Sequence, residues 1–303
     1  MGNQLNNTSH NATDQVIPMN DIDPSVEHFQ LVVYVPTFIF GLLFNIMALW
    51  MLFFRIKKWL ETTTYVTALI FFDFLLLLTL PFKIRAYDLG KDWDLGPMTC
   101  TFLESLYFVN MYGSILISVC IGMDRYIAIQ HPFYANDLRS PKKATAICIL
   151  TCILVWSFSL GYMYKQKDKM KRKHCFYGFS DTVWMNVTLV TVLELVFIIS
   201  ATILTFCTTR IVLTLKKRTR LNSFVTSPQR SIKVVIANLL IFLFSFIPFH
   251  ISLILYHLVK TEVILPAHTH HLRIFIQVAL CIANINCCLD AMCYYFIFKE
   301  FLN

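Results

Sequence analysis

The sequence predicts an all-α membrane protein, a bundle of seven transmembrane helices with its N-terminus outside and its C-terminus inside. Three observations lead there. Of 303 residues, 57% are hydrophobic and only 15% charged, at a mean hydropathy of +0.61. A soluble domain carries about 25% charged residues, so the surplus apolar surface needs a non-aqueous solvent. Apolar runs of the length that crosses a bilayer, roughly 20–25 residues each, recur seven times. Finally, no Lys or Arg precedes Arg55, whereas Arg55, Lys57 and Lys58 follow the first run directly, which places the N-terminus outside.

The first run, 31–54, is uncharged over 24 residues and reaches about 36 Å as a helix. Asp14, Asp21, Asp23 and Glu27 stand ahead of it. Further spans are predicted over 62–86, 97–129, 143–164, 184–215, 231–259 and 270–298. Connections between them are short, and the longest polar inner one, near 216–230, is basic. This topology puts more than half of the 26 Lys and Arg on the inner side. One outer loop breaks the rule, because residues 165–173 (KQKDKMKRK) hold six basic groups. Residues 1–28 are predicted to form an extracellular tail and 29–303 the membrane domain. The chain stops soon after the last span, where a longer cytoplasmic tail is expected to continue.

The polar N-terminus has neither a basic start nor an early apolar core, so no signal peptide is predicted. It carries sequons at Asn6, Asn7 and Asn11, expected to be glycosylated outside the cell, while a fourth at Asn186 lies at the mouth of a span. Of the ten cysteines, only Cys100 and Cys175 stand near hydrophilic segments on the outer side, and one disulfide is expected between them. The other eight sit in apolar runs, where a thiol behaves as a small hydrophobe. Adjacent Cys287 and Cys288 lack the partners and spacing of a zinc site.

Asp124-Arg125-Tyr126 closes the third span, 24 residues after Cys100 opens it. An arginine at such a boundary can simply snorkel to the interface. The combination of outer cysteine and inner Asp-Arg-Tyr resembles the third helix of rhodopsin-like (class A) G-protein-coupled receptors. Asn45 in the first span and Asp73 in the second match that family's polar positions. A carboxylate at mid-membrane costs about 2.5–3.5 kcal/mol on insertion scales and is functional by default. Asn286-Cys-Cys-Leu-Asp290-Ala291-Met-Cys-Tyr294 resembles the family's Asn/Asp-Pro-x-x-Tyr element, with Ala291 in place of proline. A backbone donor is retained there, and less kinking is expected. Phe242-Leu-Phe-Ser245-Phe246-Ile-Pro248-Phe249-His250 resembles the family's toggle region, with Phe246 where many members have tryptophan. In the fifth span Ala201 and Thr209 replace a common proline and tyrosine.

A finer resemblance runs through Val35-Pro-Thr-Phe, Leu80-Pro-Phe-Lys83, Glu104-Ser-Leu-Tyr107-Phe, Met111-Tyr-Gly-Ser114, Leu138-Arg-Ser-Pro-Lys142 and Asn286-Cys-Cys-Leu-Asp. It points to the nucleotide and lysolipid branch, and within it to the lysophosphatidylinositol receptors and an orphan sibling associated with kynurenic acid. The resemblance implies a plasma-membrane receptor for an anionic lysophospholipid, with a small anionic metabolite such as an aromatic carboxylate as the alternative ligand. It implies heterotrimeric G proteins of the 12/13 class or Gq as partners, together with arrestin and a receptor kinase, and no nucleic acid. Asp124, Arg125, Tyr126 and Tyr294 are the implied coupling residues, with Asp124 holding Arg125 at rest. A sodium ion is implied at Asp73, Ser114, Asn286 and Asp290, the alternative being a carboxylate pair that shares a proton. No other cofactor is expected.

The ligand cavity is expected from Lys83, Glu104, Tyr107, Phe108, Met111, Phe246, Phe249, His250, Arg273 and Gln277. Tyr107 stands where monoamine receptors need a carboxylate, and tyrosine supplies no charge near neutral pH. Lys83, Arg85, Lys260, Arg273 and the 165–173 loop instead predict a positive mouth that attracts anions. A single loop lysine more often snorkels or meets lipid headgroups. Lys83 follows Pro81-Phe82 inside a span and is expected to point inward, with Glu104 as its partner. The aromatic and Met residues suit an acyl chain, although such residues are also ordinary helix packing. Against a transporter, the chain shows no repeated halves and no broken-helix pair. Against an enzyme, it shows neither a nucleophile with its base nor a His-Glu-x-x-His helix. His268, His270 and His271 read as a solvated loop cluster.

Overall fold

Hydrocarbon supplies no hydrogen bonds, so a chain crossing it must satisfy its backbone within each segment, and these apolar runs become helices. The computed structural model describes residues 24–55, 59–88, 93–166, 175–176, 185–221, 227–264 and 269–302. The three tail sequons, His268 and most of the basic 165–173 loop lie outside these residues. Eight helices form among the described residues: α1 (Pro24–Phe54), α2 (Glu61–Asp88), α3 (Pro97–Gln130), α4 (Pro132–Leu138), α5 (Pro141–Gln166), α6 (Val187–Leu221), α7 (Ser227–Lys260) and α8 (Thr269–Leu302). All but α4 are long and apolar enough to cross a membrane. Each predicted span falls on one of these seven.

Two local features differ from expectation. Helix α1 starts at Pro24, so the boundary placed after residue 28 falls inside a helix. Proline is tolerated in a first turn, and Glu27 there complements the helix dipole. The short helix α4 has no counterpart in the sequence reading. It opens on Pro132 at its first turn and ends where the Arg139 amide donates to the Ala135 carbonyl at 2.9 Å. Helix α8 runs through Asp290-Ala291 to Leu302 without interruption, as the retained backbone donor at Ala291 allows.

The helices pack side by side in the order α6, α7, α8, α1, α2, and α2 also touches α5. Helix α3 threads the middle, touching α2, α5, α6 and α7. Large apolar side chains such as Ile46, Phe53, Leu154, Ile198 and Phe244 face outward, where lipid replaces water. Polar side chains turn inward instead, among them Asn45, Asp73, Asn110, Ser114 and Asn286, all buried.

A close interhelical approach sits beside Asp73. Asn110 of α3 donates from Nδ2 to the Phe72 carbonyl of α2 at 2.9 Å. One turn on, Gly113 faces the buried Phe72 ring so closely that a Cβ added there would overlap it. Overpacking a well-filled interior costs about 1–3 kcal/mol. Gly113→Ala is therefore expected to lower the thermal unfolding midpoint of the protein in detergent, and an unaltered midpoint would show that α2 and α3 can separate at no cost.

Candidate functional site

At one end of the bundle, Cys100 at the start of α3 is bonded to Cys175, with Cα atoms 5.5 Å apart. This linkage delivers Phe176. Its amide donates to Glu104 Oε1 at 3.2 Å, and its ring meets Trp93 edge-on. The Lys83 ammonium of α2 lies under three aromatic rings: Tyr34 of α1 at 4.7 Å, Tyr107 of α3 at 4.8 Å and Phe176 at 5.8 Å from their centroids. Lys83 is only 5% exposed. A desolvated cation over ring faces is attracted by the ring quadrupoles, by about 2 kcal/mol or more at such sites. No direct ion pair with Glu104 forms among the described residues; its carboxylate lies within electrostatic reach of Lys83 while Oε1 accepts the Phe176 amide.

The other predicted cavity residues divide between two clusters. Near Lys83, Tyr107 donates from its hydroxyl to the Leu280 carbonyl at 3.2 Å and meets Phe108 edge-on, while Gln277 accepts from the Gln30 amide. The second cluster centres on His250 of α7, which is 2% exposed. Its ring stacks on Phe197 of α6 with centroids 3.9 Å apart, and Tyr112 and Phe249 meet it edge-on. Nδ1 lies 3.1 Å from Glu194 Oε1, whereas Nε2 is buried without a hydrogen-bond partner. Met111 and Phe246 are buried in the apolar core around this cluster. Arg273 joins neither cluster, its Nε reaching the Tyr256 hydroxyl at 3.4 Å.

At mid-bundle Asp73, Ser114, Asn286 and Asp290 are all buried. Asn286 donates from Nδ2 to Asp290 Oδ2 at 2.6 Å, and Asp290 lies within electrostatic reach of Asp73. Both Asp73 carboxylate oxygens, the Ser114 hydroxyl and the Asn286 side-chain oxygen are buried with no hydrogen-bond partner among the described residues. Such orphaned oxygens are rare and call for an ion, a water or a proton. Buried oxygens of two carboxylates within electrostatic reach of each other are the donor type a hard cation takes.

At the opposite end, Asp124 is 6% exposed, and the sequence reading paired it with Arg125. Its partner is instead Arg139, which follows α4 and donates from Nε to Oδ1 at 2.7 Å and from Nη2 to Oδ2 at 2.9 Å. The Thr62 hydroxyl adds a bond to Oδ2 at 3.0 Å, and Arg139 also pairs with Glu61 at 3.3 Å. Neighbouring residues of a helix point about 100° apart, and with the Asp124 oxygens taken by Arg139 and Thr62 the longer Arg125 side chain turns to other neighbours. Arg125 lines a small cavity with Asn238, Asn286, Asp290 and Tyr294, and its Nε has no hydrogen-bond partner among the described residues. Asn238 donates to the Tyr294 hydroxyl at 3.2 Å. Tyr126 packs against His131 and Phe206.

Residues 44–294 match the family model described as 7 transmembrane receptor (rhodopsin family). The chain is 34% identical to mouse (Mus musculus) G-protein coupled receptor 55 over 296 residues, covering 93% of this chain and 89% of the relative. It is 34% identical to chicken (Gallus gallus) lysophosphatidic acid receptor 6 over 272 residues, covering 87% and 88%. With mouse G-protein coupled receptor 35 it shares 32% over 283 residues, covering 91% and 87%. The chain belongs to the rhodopsin family of seven-transmembrane receptors. It is a multi-pass receptor of the plasma membrane, and the family is one of receptors rather than enzymes.

Sequence reasoning missed three neighbours of the receptor's cavity residues. Tyr34 and Phe176 reach Lys83 only through tertiary packing, and no local pattern marks them. Glu194 did carry a signal, since a carboxylate inside an apolar span is functional by default, the same rule that singled out Asp73. Removing one partner of a buried hydrogen bond strands the other at about 1–3 kcal/mol. Thermal melts of the purified receptor should therefore rank Glu194→Leu below Glu194→Gln, which keeps an acceptor for His250. The reverse order would show that the carboxylate is not the histidine's anchor.

Proposed function

We propose that this receptor binds an extracellular anionic lipid, a lysophospholipid, and activates heterotrimeric G proteins. The observation that carries the reading is the Lys83 ammonium, held deep in the helix bundle by three aromatic rings with no carboxylate ion-paired to it among the described residues. Buried charges are normally paired, and rings compensate an ammonium only in part. A phosphate head arriving at Lys83 supplies an anion in direct contact, where Glu104 acts only from a distance, and the apolar residues at the level of Phe108 and Met111 suit an acyl chain. The likeness to a relative named for lysophosphatidic acid supports the same class.

In this reading the disulfide end faces outward, as the cationic residues after the first span require, and the Asp124-Arg125-Tyr126 end meets the G protein. The 12/13 class and Gq are the transducers proposed, with arrestin and a receptor kinase acting at the same end. The aromatic rings over Lys83 favour one alternative, a small aromatic carboxylate whose ring stacks where the lipid head would lie. In a cell-based assay of G-protein activation by lysophosphatidylinositol and lysophosphatidic acid, Lys83→Ala should weaken potency by roughly tenfold or more with surface expression kept, since a desolvated charge contact is lost. Unchanged potency for every anionic agonist would refute the assignment.

The mid-bundle oxygens of Asp73, Ser114, Asn286 and Asp290 are proposed to hold a sodium ion, which supplies positive charge between the two carboxylates. If sodium prefers the resting form, linkage requires that it lower agonist affinity reciprocally. Agonist binding should therefore weaken as sodium replaces N-methylglucamine at fixed ionic strength, and Asp73→Asn should abolish the effect. Binding indifferent to sodium in the native receptor would favour a carboxylate pair sharing a proton.

A further inference from the structure

Asp124 is a nearly buried carboxylate whose two oxygens accept three hydrogen bonds, two from Arg139 and one from Thr62. The Arg139 fork is bidentate, the strongest of the common charge-assisted geometries. Its side chain is 23% exposed and that of Asp124 only 5%, so water screens this pair far less than a surface bridge. Glu61, at the first turn of α2, takes a second contact from the same guanidinium. The short helix α4, with Pro132 at one end and Pro141 just beyond the other, sets Arg139 at this spot. Arg125, next to Asp124 in the chain, is thereby left without that anion and turns into the cavity shared with Asn286, Asp290 and Tyr294.

We infer that Arg139 is a positioning residue for G-protein coupling: by occupying Asp124 it keeps Arg125 off that carboxylate and available to the cavity at the coupling end. This rests on the proposed G-protein reading. The physical reason is competition for one anion. Remove the Arg139 fork, and a buried carboxylate is left short of partners, with Arg125 as the nearest cation along the chain. Asp124 then draws Arg125 out of the cavity and silences the receptor. Arg139 thus acts through Asp124 alone, and without the Asp124 charge it has nothing to withhold.

The test is agonist-free guanine-nucleotide exchange on added G protein, measured in membranes and normalised to the amount of folded receptor. Arg139→Gln is expected to reduce the rate by about fivefold or more, within the usual range of coupling free energies. In an Asp124→Asn background the same substitution is expected to change the rate by less than about twofold, the ordinary scatter of independent sites. Simple damage to the fold would lower the rate in both backgrounds, so that pattern overturns the inference. A native-background rate that is unchanged or raised by Arg139→Gln overturns it as well. Native membranes that promote no exchange with any G-protein class reject the receptor reading and this inference together.

Discussion

Hydrocarbon solvates neither a backbone amide nor a charge, and that single property of the surroundings organises the molecule. It forces seven segments into helices and turns the usual inside-out rule around, with Ile46, Phe53 and Phe244 outermost and Asp73, Asn110 and Asn286 within. Helix α3 shows the result most fully. It carries Glu104, Tyr107, Ser114 and Asp124 along one interior path, and the first and last of these lie about 30 Å apart at 1.5 Å per residue. One helix therefore serves the disulfide end, the mid-bundle polar cluster and the Asp124-Arg125-Tyr126 end.

The three levels of that path handle buried charge by different means. Lys83 is met by ring faces, a soft compensation that leaves it receptive to an anion. Asp73 has Asn110 beside it but no hydrogen bond of good geometry among the described residues, which leaves its oxygens open to an ion, a water or a proton. Asp124 is fully engaged by Arg139 and Thr62. The first two levels thus keep polar groups short of partners among the described residues, while the Asp124 carboxylate is saturated. That ordering is what a protein relaying a chemical event across a membrane needs, since only groups with unmet demand respond to what binds.

The departures from the family pattern are consistent with this picture. Ala291 in place of proline lets α8 run unbroken past Tyr294 to Leu302. Phe246 in place of tryptophan removes an indole donor and leaves an apolar ring buried against Phe242. His250 then carries the polar chemistry of that level through Glu194, with its ring stacked on Phe197.

The membrane class and the seven spans were readable in the chain because lipid imposes length and apolarity on each segment independently of its neighbours, whereas the helix ends, such as Pro24 and Leu221, run past the apolar runs. The Cys100–Cys175 link was readable too, since only those two thiols stand at the polar end. Asp73, Lys83 and Arg125 could be singled out because an ionisable group in an apolar run is conspicuous by itself. Their partners could not. Tyr34 lies 49 positions before Lys83 and Phe176 lies 93 after it, and nothing local ties either to that lysine. The assignment of Asp124 to Arg139 rather than to its neighbour Arg125 followed from α4, a short helix with no periodic signal that sets Arg139 beside the carboxylate. Sequence by itself determined which groups are costly to bury. Only the packing of α1, α2, α3 and α8 with the short segments between them decided what each is buried against, because those contacts join residues that the chain keeps far apart.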